Sequence, residues 1–484
     1  MNTLDKFFKI SERGSNVRTE IIAGLTTFFA MAYIVVTNPN QITGITDLAA
    51  LEGNSALQQV WNSVYVASIL AAILGTMLMA LYAKMPFAQA CGMGLNSFFF
   101  VSFILPQFTK ENGNVITGYQ SGLVIILLSG LIFLILSVTG LRSKIAKALP
   151  DCLKKAIPAG IGLFIAFIGF KNAGILQDNP YTFLQFVDIH GATESYEIFA
   201  KVAFPAILAL LGLLLIAVFE KFRVKGSVLL SIVAVTVLYY AIPSVSQTDL
   251  TLDFSRIGTS FKDFGSIGIT GVFQGSSWSN AFSGGTIGAI FSAVMLIITF
   301  CLVDMFDTIG TLYGTASQAN MLDKNGDPVN VDKCMASDSI ATVAGAVCGT
   351  STCTTYVESA SGVAAGGRTG LTSIVVSICF AICLFLSPLA AIVPSCATAP
   401  ALIYVGVLML KGFAKVDMDD MRSAVPAFLA LVMMPLTYSI SNGIGIGSIA
   451  YVIITLFTGN YKKKDIPVTV IAALFVLRFV TVTM

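Results

Sequence analysis

The chain has 484 residues, of which 56% are hydrophobic and 11% are charged, and its formal net charge is +2. A soluble domain has about 25% charged residues, so this composition excludes an ordinary soluble protein and predicts a protein embedded in lipid. The small, dispersed charge argues against a nucleic-acid-binding surface. The single histidine, His190, and nine cysteines without a CxxC pair predict no metal site, no cofactor and no histidine-based catalytic triad.

Long apolar runs alternate with short charged clusters along the whole chain. A helix needs about 20 apolar residues to cross the hydrocarbon, and a closed barrel would instead show short alternating strands. The sequence therefore predicts about fourteen helical membrane elements. They lie at 21–37, 60–82, 86–105, 119–138, 156–170, 199–219, 227–242, 286–314, 335–350, 353–366, 371–394, 398–411, 424–440 and 443–458. A last apolar stretch, 466–482, is expected either to span the membrane or to lie on it.

Positively charged residues in short loops predict the orientation, because such loops stay in the cytoplasm. They gather at 142–155, 221–225, 411–422 and 462–464. With a cytoplasmic N-terminus, this pattern fits an even number of spans in a bacterial cell membrane. The polar stretch 243–285 then lies outside the cell and connects two halves of similar size.

The two halves show a weak internal repeat. The segment that begins Cys91-Gly-Met-Gly-Leu-Asn96 aligns with the segment from Cys353 to Glu358, and each is expected to be a broken element that opens into a helix. Because the first half has seven elements, the second must cross the membrane upside down. Inverted repeats of this kind are typical of secondary transporters, whose site lies between the broken elements.

Three acidic residues stand out within the predicted membrane elements. Asp304 and Asp307 are three residues apart in one apolar run, so we expect them on one helical face, and Glu358 lies in the second broken element. A charge in hydrocarbon is costly, and intramembrane acids therefore usually line a cavity and take part in function. The alternative is a structural role, such as pairing with Arg368.

Asn96 and Glu358 stand near the expected start of the two half-helices. Free backbone N–H groups and the positive end of the helix dipole point into a cavity there, so both residues are candidates to line one site. For Asn96, a helix cap that never meets a ligand is the alternative. Phe98 either packs inside the protein or covers a flat ring.

Four motifs, in this order, resemble the AzgA-like purine permeases, a branch of the nucleobase–cation symporter-2 (xanthine/uracil permease) family. They are GLTTFFAMAYIVVTNP at 24–39, GMGLNSFFF at 92–100, CLVDMFDTIGTL at 301–312 and TTYVE at 354–358. The resemblance extends from about Arg18 to Arg478, nearly the whole chain.

The resemblance implies an all-α integral membrane fold of fourteen elements in two inverted repeats of seven. The third and tenth elements would each pair a short strand with a half-helix, and the nucleobase would lie between them. A core domain would hold elements 1–4 (18–138) and 8–11 (286–394). A gate domain would hold elements 5–7 (145–242) and 12–14 with the C-terminal segment (398–484), and 243–285 would connect the halves.

The same resemblance implies roles for particular residues. Glu358 and Asp307 would bind the nucleobase, Asp304 would be the additional acid of the purine branch, and Asn96 would be the polar residue of the third element. The remaining substrate-binding candidates are Thr355 and Tyr356 in the TTYVE motif, Phe98, and Thr27 in the first motif.

These observations predict import of hypoxanthine, guanine or adenine together with a proton, by movement of the core domain past the gate domain. Asp304, Asp307 or Glu358 would take up the proton. No Lys or Arg lies within the neighbouring spans, so a neutral ring is expected rather than an anion. The alternatives are uracil, xanthine or a small anion as the solute, sodium as the coupling ion, a channel, or an intramembrane enzyme; a homodimer is left open.

Overall fold

The computed structural model describes residues 3–45, 54–110, 113–139, 150–193, 199–224, 226–241, 253–282, 287–318, 321–322, 328–459 and 461–481. This part of the chain is mostly helical, and eight of its helices are long and apolar enough to cross a membrane. A helix bonds its own backbone groups, which makes it suited to a solvent that offers no hydrogen bonds. The prediction of a mostly helical membrane protein is confirmed.

The first half of the chain contains a series of helices interrupted by short strands. Its helices are α1 (Thr3–Phe8), α2 (Val17–Met31), α3 (Ile34–Thr43), α4 (Ser55–Leu78), α5 (Met93–Phe99), α6 (Leu105–Thr109), α7 (Val115–Val138), α8 (Asp151–Asn172), α9 (Ile189–Ala192), α10 (Phe204–Lys221) and α11 (Ser227–Tyr240). Its strands are β1 (Gln89–Cys91), β2 (Leu176–Asn179) and β3 (Phe183–Phe186). Asparagine side chains cap three of the helices: Asn16, Asn54 and Asn114 accept backbone N–H groups at the starts of α2, α4 and α7.

The described residues of the second half form helices and one strand. The helices are α12 (Ser255–Asp263), α13 (Gly275–Ala281), α14 (Ile287–Gln318), α15 (Val331–Cys348), α16 (Ser359–Ala364), α17 (Gly370–Cys383), α18 (Ser387–Ala391), α19 (Ser395–Leu410), α20 (Met421–Leu436), α21 (Ile440–Phe457) and α22 (Ile466–Thr481), and the strand is β4 (Cys353–Thr355). The final helix, α22, covers the apolar stretch whose position was left open, and it packs against α21.

Strands β1 and β4 pair antiparallel, with Cys91 opposite Cys353, and every residue of both is buried. On the outer edge of each strand, a threonine of the preceding helix forms hydrogen bonds with the strand backbone. The Thr76 hydroxyl bonds the N–H and the C=O of Gln89 (2.9 and 3.0 Å). The Thr342 hydroxyl does the same for Cys353 (3.1 and 3.0 Å). These bonds satisfy backbone groups that would be costly to leave unpaired in a buried place.

The helices pack into two groups. The first helix group contains α2, α3, α4, α7, α14, α15, α16 and α17 together with β1 and β4, and the second contains α8, α10, α11, α19, α20 and α21. These are the segments assigned to the core and gate domains from the sequence. The assignment of the two groups as domains stays a prediction.

The stretch between the two halves is not simply a loop. Helices α12 and α13 lie within the predicted connection 243–285 and pack against α4 and α7. Asn62 of α4 donates a hydrogen bond to Asp263 at 2.8 Å. Residues 243–252 and 283–285 of this stretch lie outside the described residues, as do Arg142, Lys144, Lys147 and Lys225 of the basic loops.

The start of α17 is held by a buried carboxylate from the first apolar element. Glu20 of α2 accepts the backbone N–H groups of Arg368 (2.9 Å) and Thr369 (3.2 Å), and also the hydroxyls of Thr369 (2.9 Å) and Thr372 (2.6 Å). A negative charge at a helix N-terminus is favourable, and this one fixes α17 to α2.

Candidate functional site

A cavity of about 750 Å³ lies where the pair of strands meets the second helix group. Its lining includes residues 93–94 at the start of α5 and residues 354–358, which run from the end of β4 to the residue before α16. The other walls come from α8, α14 and α19. Both broken elements therefore contribute to one cavity.

Glu358 lies at the residue before α16 and lines this cavity. Its Oε1 accepts a hydrogen bond from the Tyr33 hydroxyl at 2.7 Å. Its Oε2 is buried and has no hydrogen-bond partner among the described residues. A buried carboxylate oxygen without a donor is suited to receive an N–H group from a ligand.

Tyr33 was not predicted from the sequence as a site residue. It lies at the break between α2 and α3, with an exposed fraction of 1%. Tyr33 lies within an apolar run, and nothing in the sequence marks it as a site residue except its position in the first motif. By holding Oε1, Tyr33 fixes which carboxylate oxygen of Glu358 is free.

Asp307 and Asp304 do not share an environment, although both lie on α14. Asp307 lines the cavity together with Thr311, one turn further along. Asp304 is buried behind β4, where its Oδ2 accepts the Thr342 hydroxyl at 2.8 Å and its Oδ1 has no partner among the residues described. The structure thus places one acid on the cavity wall and the other outside it.

A further buried acid, Asp338 of α15, was missed from the sequence. The Gln89 amide donates to its Oδ1 at 3.1 Å and the Thr308 hydroxyl donates to its Oδ2 at 2.5 Å. Thr308 also exchanges a hydrogen bond with Thr354, which lines the cavity, at 2.8 Å. A polar network therefore connects the cavity wall to Asp338. Asp338 could have been found from the sequence as the one acid in the otherwise uncharged stretch 334–348.

The remaining predicted residues divide between the cavity wall and the interior. Thr355 and Tyr356 line the cavity, and the Tyr356 hydroxyl donates to the carbonyl oxygen of Cys91. Thr27 is buried outside it; its hydroxyl lies so close to Gly362 of α16 that a Cβ there would collide with it. Thr27 therefore contacts the half-helix and not the cavity.

Asn96 and Phe98 also lie away from the cavity. The Asn96 amide donates to Asn38 at 2.7 Å and to Gln41 at 3.4 Å, and its oxygen accepts the Ser351 hydroxyl. Phe98 packs on another phenylalanine of the interior, with ring centroids 4.9 Å apart. The structure brings together Glu358, Asp307, Thr355 and Tyr356 from the predicted set, and it leaves Asn96, Phe98, Thr27 and Asp304 outside.

Arg368 does not pair with Glu358. Its guanidinium donates instead to the carbonyl oxygens of Val363 (2.7 Å) and Gly367 (2.8 Å). The sequence left open a structural role in which Glu358 pairs with Arg368. The structure does not contain this pair.

Four lysines line the end of the cavity away from the half-helices: Lys154 and Lys155 at the start of α8, and Lys411 and Lys415 just after α19. The sequence predicted no Lys or Arg within the neighbouring spans, and these four lysines lie at the ends of helices.

Comparison with known proteins relates the whole chain to permeases. Residues 18–446 match the Xan_ur_permease family model, which is described as a permease family. The adenine permease AdeQ of Escherichia coli is 38% identical over 99% of this chain and 97% of its own length. The guanine/hypoxanthine permease PbuG of Bacillus subtilis is 38% identical over 98% of this chain and 99% of its own length.

Solved structures of more distant proteins share the fold. The transmembrane domain of the cyanobacterial bicarbonate transporter BicA superposes with a TM-score of 0.57 at 14% identity, over 88% of this chain and 97% of that domain. The murine anion transporter Slc26a9 in its inward-facing state gives a TM-score of 0.56 at 12% identity, over 91% of this chain and 68% of that one. At these identities the likeness shows the fold alone.

Proposed function

We propose that this chain, which belongs to the Xan_ur_permease family of permeases, imports purine nucleobases together with a proton. Membership of a permease family, with relatives of 38% identity over nearly their whole length, makes it a membrane transport protein and not an enzyme. The relatives named above are permeases for adenine or for guanine and hypoxanthine, which supports a purine as the solute.

The observation that carries the choice of solute is the free oxygen of Glu358. A purine ring presents N–H donors at its edge, and the buried Oε2 is an acceptor without a donor. Asp307 and Thr355 line the same cavity, and the carboxylate of Asp307 can bond further polar atoms of the ring. A few convergent polar groups among apolar side chains, as at this end of the cavity, are typical of a small-molecule site.

Proton coupling is proposed from the acids behind and beside the site. Asp304 is enclosed by protein with one oxygen bonded by Thr342 and the other unpartnered. A charged carboxylate at membrane depth is costly, and a bound proton removes that charge. We therefore propose that Asp304, or Asp307 or Glu358 on the cavity wall, carries the proton while the loaded site moves.

The movement proposed is an elevator-like displacement of the first helix group past the second. The cavity lies between the groups: Asp307 and Glu358 come from the first, while Ile165 and Val405 come from the second. The equivalent bonds of Thr76 and Thr342 to the two strand edges support the proposed repeat of seven plus seven elements. They occupy the second and ninth elements of that plan, which are its corresponding positions.

Uptake of radiolabelled hypoxanthine, guanine and adenine tests this function. Cells deficient in purine transport would express the chain or its Glu358→Gln variant, with and without a protonophore. Saturable accumulation that is lost with the variant and with the protonophore is the expected result. If protein shown to reach the membrane accumulates none of the three bases, the purine assignment is wrong, and a panel of uracil, xanthine and small anions follows.

A further inference from the structure

The cavity is longer than a nucleobase requires. Its wall follows α8 from Ile165, which lies beside Gly94 at the start of the half-helix α5, to Lys154. Eleven residues of α-helix correspond to about 16 Å. A bicyclic base bound at Glu358 and Asp307 would fill the inner part of this length and leave the outer part to another group.

The outer part is positively charged. Lys154 is close to Asp151, at 3.2 Å, and Lys155 donates to the backbone carbonyl of Lys415 at 2.7 Å. No carboxylate of the described residues pairs with the ammonium groups of Lys411 and Lys415, and both side chains are exposed. The cavity thus has two carboxylates at its inner end and four ammonium groups at its outer end.

We infer that this cavity also binds a purine nucleoside monophosphate. Its base would lie at the carboxylate end, in the site already proposed for the free base, so the inference rests on the proposed function. Its phosphate would lie among the four lysines, since ammonium groups form strong, charge-assisted hydrogen bonds with phosphate oxygens.

Such a ligand inhibits transport and is not itself carried. Glu358 and Asp307 belong to the first helix group, whereas Lys154, Lys155, Lys411 and Lys415 accompany helices of the second. A molecule bonded to both groups opposes their relative movement, because it binds the arrangement with the cavity open more tightly than any other. A nucleotide that enters from the face on which this cavity opens therefore lowers import of the base.

Competition binding on the purified full-length protein tests the inference. A labelled base that the protein binds is displaced by its own nucleoside, its monophosphate, or inorganic phosphate: for guanine, these are guanosine, GMP and phosphate. We expect GMP to compete at least about tenfold more tightly than guanosine, which lacks the phosphate, and phosphate alone not to displace the base.

Paired variants locate the phosphate site. Lys411→Gln/Lys415→Gln is expected to abolish the advantage of GMP over guanosine. The matched control, Lys463→Gln/Lys464→Gln, changes two exposed lysines of another loop and should retain it. The readout is the ratio of GMP to guanosine affinity within each variant, which corrects for any change in binding of the base.

The other outcomes overturn either the nucleotide inference alone or the proposed function together with it. Binding of a base with equal competition by GMP and guanosine, or an advantage that persists in Lys411→Gln/Lys415→Gln, overturns the nucleotide inference and leaves the proposed function intact. Absence of binding by all three purines overturns both. If the advantage of GMP over guanosine is seen in nanodiscs of zwitterionic phosphatidylcholine but is lost in nanodiscs of anionic phosphatidylglycerol, anionic lipid headgroups occupy the lysines in a membrane, and inhibition by a nucleotide is overturned.

Discussion

The bond between Tyr33 and Glu358 allows the proposed role of the carboxylate to be tested with two substitutions. Glu358→Gln keeps the shape of the side chain but replaces a charged acceptor by a neutral amide. Tyr33→Phe keeps the ring and removes the hydroxyl that donates to Oε1 at 2.7 Å. The first substitution alters the group that meets the ligand, and the second alters only what holds that group.

The expected magnitudes follow from the type of bond. A hydrogen bond to a charged group contributes about 1.5–3 kcal/mol, so Glu358→Gln should weaken base binding by roughly 10- to 150-fold. Tyr33→Phe leaves the carboxylate in place but less well oriented, and a loss of about 1 kcal/mol, or roughly fivefold, is expected. Because the hydroxyl acts through the carboxylate, Tyr33→Phe should matter less in the Glu358→Gln background than in the natural chain.

Equilibrium binding of labelled base to purified protein measures all four members of this cycle. Tyr65→Phe is the matched control, because the Tyr65 hydroxyl donates to the Cys383 carbonyl at 2.6 Å, outside the cavity. Unchanged affinity in Glu358→Gln would show that the charge of this carboxylate does not contribute to binding of the base. Effects of Tyr33→Phe and Glu358→Gln that add within about 0.5 kcal/mol would show that Tyr33 does not act through Glu358.

Three further predictions concern stability and coupling. Thr342→Val leaves two buried backbone groups of β4 without a partner, at about 1–3 kcal/mol each, and should lower the unfolding temperature of the purified protein clearly. Thr26→Val, which removes a hydroxyl bonded within its own helix, should change it little, and equal effects of the two would contradict the reasoning. Asp304→Asn should retain exchange of base between the two sides of proteoliposomes but lose concentration of base driven by an imposed proton gradient; retained concentration would exclude Asp304 as the proton carrier. Glu20→Gln halves the acceptor oxygens that hold the start of α17 and should also lower the unfolding temperature, and an unchanged temperature would show that these bonds add no net stability.

The helices and the two broken elements were predictable from the sequence, because long apolar runs without charges have few alternatives to a membrane helix. The breaks were visible as glycine and polar residues within apolar runs. The strands themselves were implied by the resemblance, since three-residue strands are too short to show alternation.

The alignment of the two broken elements could not show that Asn96 and Glu358 lie at different positions relative to the helices that follow the strands. Each lies five residues after a cysteine that ends or begins a strand. Helix α5 begins at Met93, so Asn96 lies one turn inside it, whereas α16 begins at Ser359, so Glu358 precedes it. Equal spacing in the sequence therefore places one side chain in the interior and the other on the cavity wall.

The acids on α14 show the limit of a spacing argument. Residues three apart differ by about 60° around a helix axis, which is close enough to share a face but also enough to separate two environments. Asp307 reaches the cavity and Asp304 reaches Thr342 behind β4. The sequence contains no information on where the boundary between those environments falls.

The pairing of β1 with β4 has a consequence for how the protein is made. Gln89 and its partner Thr355 are 266 residues apart in the chain. At about 5–20 residues per second, the ribosome needs roughly 13–50 s to reach the second strand after finishing the first. During that interval the backbone of β1 has no strand to bond with, and lipid supplies none. The first broken element must therefore wait beside water or the insertion machinery, and it enters its final place only when the second half of the chain arrives.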